Sequence, residues 1–216
     1  MRHGIGPRSF TPDGRSLLFY SNRDDTWAAW IIDLDGGNLR QIAKTASGII
    51  YPLISPKGDA IVFGGDAAHL GSSFLKLEPA GGAPTELAGM KTTDQRDLVA
   101  TTWSPDGTRL AGFIQSGTGR TNGVAVYDLG TRTTTLLSDD QCFGVRWLAD
   151  SRRIVYFTND GTELVLIDTV TRARSVVDVR LPAPSIDDVF TISPDNKTIY
   201  YGAARAEADI WIAERK

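Results

Sequence analysis

With 216 residues, 41% of them hydrophobic and 23% charged, the chain can bury a substantial core, which excludes wholesale disorder. A formal net charge of -3 supplies no global attraction for nucleic acid or an anionic membrane, and no apolar run approaches the ~18 residues of a membrane-spanning helix. The single cysteine, Cys142, excludes an intrachain disulfide, and the two histidines, His3 and His69, lie too far apart for a zinc motif.

The opening Met1–Pro7 has no apolar core of the secretory kind, which predicts a cytoplasmic chain if Met1 is the native start. The first element ends at Phe10 and meets Thr11-Pro12-Asp13-Gly14. Short runs follow at Leu17–Tyr20, Trp30–Ile32 and Leu39–Ile42, the last two separated by Asp33-Leu34-Asp35-Gly36-Gly37. A second copy carries Ile54, the turn Ser55-Pro56-Lys57-Gly58, then Ile61–Phe63, Phe74–Leu77 and Thr85–Leu87. The third carries Trp103, Ser104-Pro105-Asp106-Gly107, Leu110–Phe113, Val124–Tyr127 and Thr133–Leu137. The fourth carries Trp147, Leu148-Ala149-Asp150-Ser151, Ile154–Phe157, Leu164–Ile167 and Arg174–Val177. The fifth carries Ile192, Ser193-Pro194-Asp195-Asn196, Ile199–Tyr201 and Ile210–Ile212.

The turns begin at 11, 55, 104, 148 and 193, a period of 44 to 49 residues. Proline pre-sets φ, aspartate bonds nearby backbone, and glycine or asparagine accepts a positive φ, so each tetrapeptide is a hairpin turn. β-branched and aromatic runs this short, bounded by turns, are strands, and four strands in about 45 residues is the period of a propeller blade. The expectation is an all-β fold: a β-propeller of about five four-stranded blades, the last incomplete. It forms one domain over 1–216, with repeats of approximately 1–44, 45–92, 93–138, 139–181 and 182–216.

The phrase S-P-D-G, the apolar strand behind it and the Asp/Gly turn after the third strand resemble the WD40-like repeats of TolB-type propellers, best in Ser9–Gly37 and Ser104–Leu129. The resemblance spans essentially the whole chain. It implies a six-bladed ring whose last blade is closed by strands from both chain ends, and a protein-binding role outside the cytoplasm. The same repeats occur in the propellers of prolyl-oligopeptidase-like peptidases and in sensor regions of bacterial kinases and regulators. Two departures stand out. Leu148-Ala149-Asp150-Ser151 lacks the proline and glycine, and the fifth copy shows no fourth strand. Three arrangements follow: a piece of a six-bladed ring, an open five-bladed arc, or an edge covered by self-association with a second chain.

In a four-strand meander the first-to-second and third-to-fourth turns share one end of the blade. The remaining connections, which vary in length and sequence, share the other, where binding residues concentrate. Asp94 and Asp97, Asp139 and Asp140, and Asp187 and Asp188 all fall just before inner strands. Around the mouth of a channel they would form an acidic funnel for a basic peptide or a divalent cation such as Ca²⁺. The plainer alternative is a set of solvated turn acids. Arg23, His69 and Arg120 are the remaining candidate partner-binding residues, each on a variable loop. Arg205 lies there too, but these arginines are too scattered for a nucleic-acid patch. Cys142 reads as a small buried hydrophobe, and Trp103, Trp147, Trp27, Trp30 and Trp211 read as packing residues.

Asp33–Asn38 lacks the closing glutamate of a calcium loop, and no nucleophile elbow, phosphate loop or metalloprotease motif is present. The reading is a non-catalytic protein- or peptide-binding module without a required cofactor. The alternative is the propeller of an enzyme, as a peptidase accessory domain or a glycan hydrolase using paired carboxylates.

Overall fold

Short β-rich runs can satisfy their backbone groups only by pairing with one another, and here they pair in chain order. The computed structural model describes residues 4–64, 73–77, 85–87, 90–115, 121–179 and 185–203. Sheet one contains β1 (Ile5–Phe10), β2 (Ser16–Ser21), β3 (Ala28–Asp33) and β4 (Arg40–Lys44). Sheet two contains β5 (Ile50–Ile54), β6 (Ala60–Gly64), β7 (Ser73–Lys76) and β8 (Thr85–Glu86). Sheet three contains β9 (Asp97–Trp103), β10 (Arg109–Gln115), β11 (Thr121–Asp128) and β12 (Thr133–Ser138). Sheet four contains β13 (Cys142–Trp147), β14 (Arg153–Thr158), β15 (Leu164–Asp168) and β16 (Arg174–Val176). The fifth contains β17 (Ser185–Ile192) and β18 (Ile199–Ala203). All pairings are antiparallel, and the described residues contain no helix. The third strand expected at Ile210–Ile212 lies outside the described residues.

The inner strands β1, β5, β9, β13 and β17 meet in succession, and one cavity of ≈ 660 Å³ is lined by residues of all five, among them Phe10, Ile54, Trp103, Arg146 and Phe190. This is the axial channel of a propeller. Side chains alternate between the two neighbouring blades, as strand geometry demands. On β14, Ile154 and Tyr156 pack toward blade three, while Val155 and Phe157 pack toward blade five. Each inner strand shifts register against its partner, a bulge that sharpens the twist near the axis. At one such bulge Gly112 is obligatory, because a Cβ there would stand 1.8 Å from the carbonyl oxygen of Val99.

Polar side chains stitch adjacent inner strands. The Trp103 indole donates to the Leu53 carbonyl at 3.2 Å, the Thr101 hydroxyl to Val145 at 3.0 Å, and Arg146 Nε to Phe190 at 2.9 Å. Trp103 and Trp147 are thus packing residues as expected, with Arg109 stacked 4.9 Å from the Trp147 ring.

The S/T-P-D-G turn is a small hydrogen-bonded machine. Ser104 Oγ donates to Asp106 at 2.6 Å and accepts from the Arg109 amide at 2.9 Å, while the Asp106 carboxylate takes the Thr108 amide at 3.0 Å. Thr11 with Asp13 and Ser193 with Asp195 repeat it. Lys57 breaks the pattern in blade two, where Ser55 uses Asp59 instead. The fourth turn position has a positive φ in all five copies, filled by Gly14, Gly58, Gly107, Ser151 and Asn196.

These turns also interlock. A Cβ at Gly58 would sit 3.9 Å from Pro12, and one at Gly107 would sit 3.8 Å from Pro56. The two copies without glycine make hydrogen bonds at that junction. Ser151 Oγ accepts from the Asp106 amide at 3.0 Å, and Asn196 Oδ1 accepts from the Ala149 amide at 3.1 Å. Ala149 can donate only because it is not proline. The departure at Leu148–Ser151 is therefore a change of latch, and the turn keeps its geometry.

Among the described residues no latch of this kind joins blade one to blade five. Nothing among the described residues lies within 4 Å of a Cβ built on Gly14. Phe10, at the repeat position of Trp103 and Trp147, is 60% exposed, and Tyr200 across the cavity is 61% exposed. Trp103 and Trp147, the counterparts of Phe10, pack because they have an inner strand of the preceding blade beside them.

Candidate functional site

Of the acids expected near the inner strands, Asp94, Asp97, Asp139 and Asp140 lie at the end of the blades opposite the S/T-P-D-G turns, and each is engaged by a cation or a hydroxyl. Thr92-Thr93-Asp94-Gln95 folds as the same hydroxyl-carboxylate turn as Ser104–Gly107. Thr92 Oγ1 donates to Asp94 and accepts from the Arg96 amide at 3.1 Å, with Gln95 at φ 66°. The Thr92 hydroxyl is the main reason the Asp94 carboxyl titrates below its usual range. Arg96 then bridges two blades, its Nε 2.8 Å from Asp94 and its Nη2 3.2 Å from Asp139. Asp97 faces Lys91 at 3.5 Å.

Asp140 is set deeper. It accepts from the Tyr156 hydroxyl and from Arg174 Nε at 2.9 Å. Burial pushes its carboxyl up, but hydrogen bonds from Tyr156, Ser138 and Arg174 outweigh that and hold it below the usual range. The same environment pushes the Tyr156 phenol up to about 12, through burial first and then the hydrogen bond to Asp140. Cys142, 1% exposed, is an inert buried thiol, raised to about 12 by burial and then by the Asp140 charge.

Asp187 and Asp188 lie on β17, and their side chains are outside what is described, as are His69 and Arg120 altogether. Among the described residues no three acids, histidines or cysteines converge as a metal site. Outward exposure of the paired acids remains high, at 75% for the Asp139 side chain, 57% for Asp94 and 49% for Asp97. Surface pairs of this kind are worth only about 0–1 kcal/mol, so an incoming group can replace either partner.

Arg23 is different. It lies in the β2–β3 connection with its guanidinium carbon 4.8 Å from the centre of the Trp30 ring and 5.2 Å from that of Phe19. Its Nε is buried with no hydrogen-bond partner among the described residues, and so are the Trp30 indole nitrogen and the Ser21 hydroxyl. Phe19 pairs with Trp30 and Ser21 with Ala28 across β2 and β3, so alternation puts these side chains on one face of blade one. That face is opposite Leu18, Ala29 and Ile31, which form the core shared with blade two. On that opposite face Tyr20 meets Trp27 at a tilt, ring centres 5.3 Å apart, and Tyr51 edge-on at 5.5 Å. Sequence reasoning selected Arg23 but passed over Ser21, and it took Trp30 as packing alone. The available signal was a serine at an apolar-face position of β2, two residues from an arginine.

No family model matches the sequence. An uncharacterized protein of Agrobacterium fabrum is 28% identical over 120 residues, covering 51% of this chain and 41% of that protein. The chain thus spans about two fifths of that curated relative in its match. Among solved structures, TolB from Acinetobacter baumannii superposes with a TM-score of 0.72 at 18% identity, covering 94% of this chain and 49% of TolB. A TolB-type protein of Agrobacterium tumefaciens gives 0.65 at 15% identity, covering 93% and 81%. An oligogalacturonate lyase in complex with manganese gives 0.56 at 13%, covering 92% and 70%. At these identities the likeness concerns the fold, which agrees with the sheet order, the axial cavity and the blade-to-blade packing: the chain folds as a TolB-like β-propeller.

Proposed function

We propose that this chain is a non-catalytic binding module that takes a protein or peptide partner on the end of the propeller carrying the variable connections. The observation that carries the reading is the division of the molecule into two ends. One is locked by repeated interblade latches, and the other presents unlike loops and exposed, weakly paired charges on that rigid frame. The fold it shares with TolB supports the same reading. Asp94, Asp97 and Asp139, with Asp187 and Asp188 at the corresponding place on blade five, are the proposed contacts for a basic segment of the partner. Arg23, His69 and Arg120 extend the face.

Pull-down from a bacterial lysate tests this, comparing the wild-type chain with a variant carrying D94N, D97N and D139N. The expected result is a partner held by the wild type in low salt and released by the variant. Identical capture by both would overturn the assignment to these acids. Cleavage of an oligogalacturonate, with or without manganese, would overturn the non-catalytic reading.

A further inference from the structure

Three buried donors without an acceptor, two on one sheet face and one on the adjoining connection, are rare in folded proteins, because each costs desolvation that folding does not return. Ser21 is fully buried and Trp30 is 8% exposed, and their free hydroxyl and indole nitrogen accompany the free Nε of Arg23. Arg23 as a whole is half-buried although its Nε is not exposed, while Asp24 and Asp25 beside it are exposed. Six other arginines, Arg96, Arg109, Arg146, Arg152, Arg153 and Arg174, hold carboxylates or carbonyls. Among the described residues, Arg23 lies against only the Phe19 and Trp30 rings.

We propose that Ser21, Arg23 and Trp30 form a binding site for a carboxylate group at the loop end of blade one. All three groups donate and none has to accept, which matches an anion. Contact with the neighbouring Phe19 and Trp30 rings restricts the guanidinium, whose fork matches the planar geometry of a carboxylate. A dianion such as phosphate is disfavoured, since a single arginine stands beside the charges of Asp24 and Asp25. The carboxylate can belong to an acidic side chain, a peptide C-terminus or a free small acid, and the chemistry at the three donors is the same. This site stands independently of the basic-segment contacts proposed above, which lie on other blades.

The experiment follows the indole N–H resonance of Trp30 in the ¹⁵N-labelled chain, assigned by its loss in Trp30→Phe. The probes are sodium acetate, the neutral isostere acetamide, inorganic phosphate, acetyl-Gly-Glu-Gly-amide and acetyl-Gly-Gly-Gly with a free C-terminus, at constant ionic strength. A saturable shift with acetate and none with acetamide is expected. Arg23→Gln should weaken it by about tenfold or more, and Arg23→Lys, which keeps charge but not the fork, should fall between. The other tryptophan indole resonances serve as the check that each variant is folded. The peptide showing the tighter response identifies the source, and acetate binding more tightly than either peptide identifies a free acid. A shift that does not saturate, equal shifts in wild type and Arg23→Gln, or a stronger response to phosphate would each overturn the carboxylate assignment. Loss of partner capture by the acidic loops would leave this titration unchanged, and failure of the titration would leave that capture unchanged.

Discussion

The same four-residue device occurs at both ends of the propeller and does different work at each. At the turn end Ser104, wholly buried, closes on Asp106 and the Arg109 amide, and the next blade's Ser151 locks onto the Asp106 amide. At the loop end Thr158 makes the corresponding bonds to Asp160 and the Glu163 amide, but in the open. Thr92 and Asp94 make them with an arginine reaching across to the following blade. Identical local chemistry thus becomes structural where a neighbouring blade covers it, as at Ser104, and adjustable where water reaches it, as at Thr158. The difference comes from tertiary context, since the tetrapeptides alone are nearly alike.

Substitutions can break that comparison at the scaffold. The largest effect is expected from Gly112→Val, where the new side chain meets the Val99 carbonyl in the bulge of blade three. A cost above about 4 kcal/mol, seen as loss of a cooperative melt, is the expected outcome; a normal melt would show that the bulge relaxes. Next comes the matched pair Ser104→Val and Thr158→Val. The first strands a buried amide and should cost about 2–3 kcal/mol, the second about 0.5 kcal/mol because water substitutes. Equal losses in urea unfolding would mean that the two ends are not mechanically distinct.

Ser151→Ala asks whether the latch between turns three and four matters. It removes the acceptor of the Asp106 amide while keeping a side chain at φ 53°, and a loss of about 1 kcal/mol is expected. Acid should act on the same end. The hydroxyls of Thr11 and Ser193 are the largest cause holding Asp13 and Asp195 below the ordinary value of 3.8. For Asp106, burial pushes upward and is outweighed by Ser104 and the Thr108 amide. Carboxyls lowered on folding contribute stability that is fully present above the unfolded value and disappears as pH falls through the folded one. Stability should therefore decline on acidification below about pH 4, and D13N/D106N/D195N should flatten that limb while lowering the plateau at neutral pH. An unchanged acid limb in the variant would assign the titration to other groups.

Much of the scaffold was legible in the residues. Five turn tetrapeptides at a near-constant period identified the blades, and the aromatic or apolar residue before each turn marked the end of every inner strand, at Phe10, Ile54, Trp103, Trp147 and Ile192. Local periodicity suffices there because each blade repeats one local solution. The exposure of Phe10 was not legible, since it depends on what lies beside blade one. Nor was the pairing of the acids. Arg96 reaches Asp139 over 43 positions and Arg174 reaches Asp140 over 34, distances at which no motif reports a contact. The Ser21, Arg23 and Trp30 cluster escaped for a further reason. Unmet hydrogen-bonding capacity is a property of three-dimensional surroundings, and a strand pattern shows only which face a residue is on.

The smallest expected effect is the most informative about the loop end. Arg96→Gln removes the cation between Asp94 and Asp139, two acids that belong to consecutive blade connections. If the bridge were part of the scaffold, its loss would resemble Ser104→Val and lower the unfolding midpoint at any salt concentration. Asp94 keeps its Thr92 hydroxyl and Asp139 is three-quarters exposed, so the pair should instead be a screened surface interaction. A change within about 0.5 kcal/mol is expected, shrinking further in 1 M salt. The functional consequence has the opposite sign. Freed of Arg96, the two carboxylates present more negative potential, and capture of a basic segment should tighten in low salt while stability hardly moves. Parallel loss of stability and capture would place Arg96 in the frame of the propeller and not on its working face.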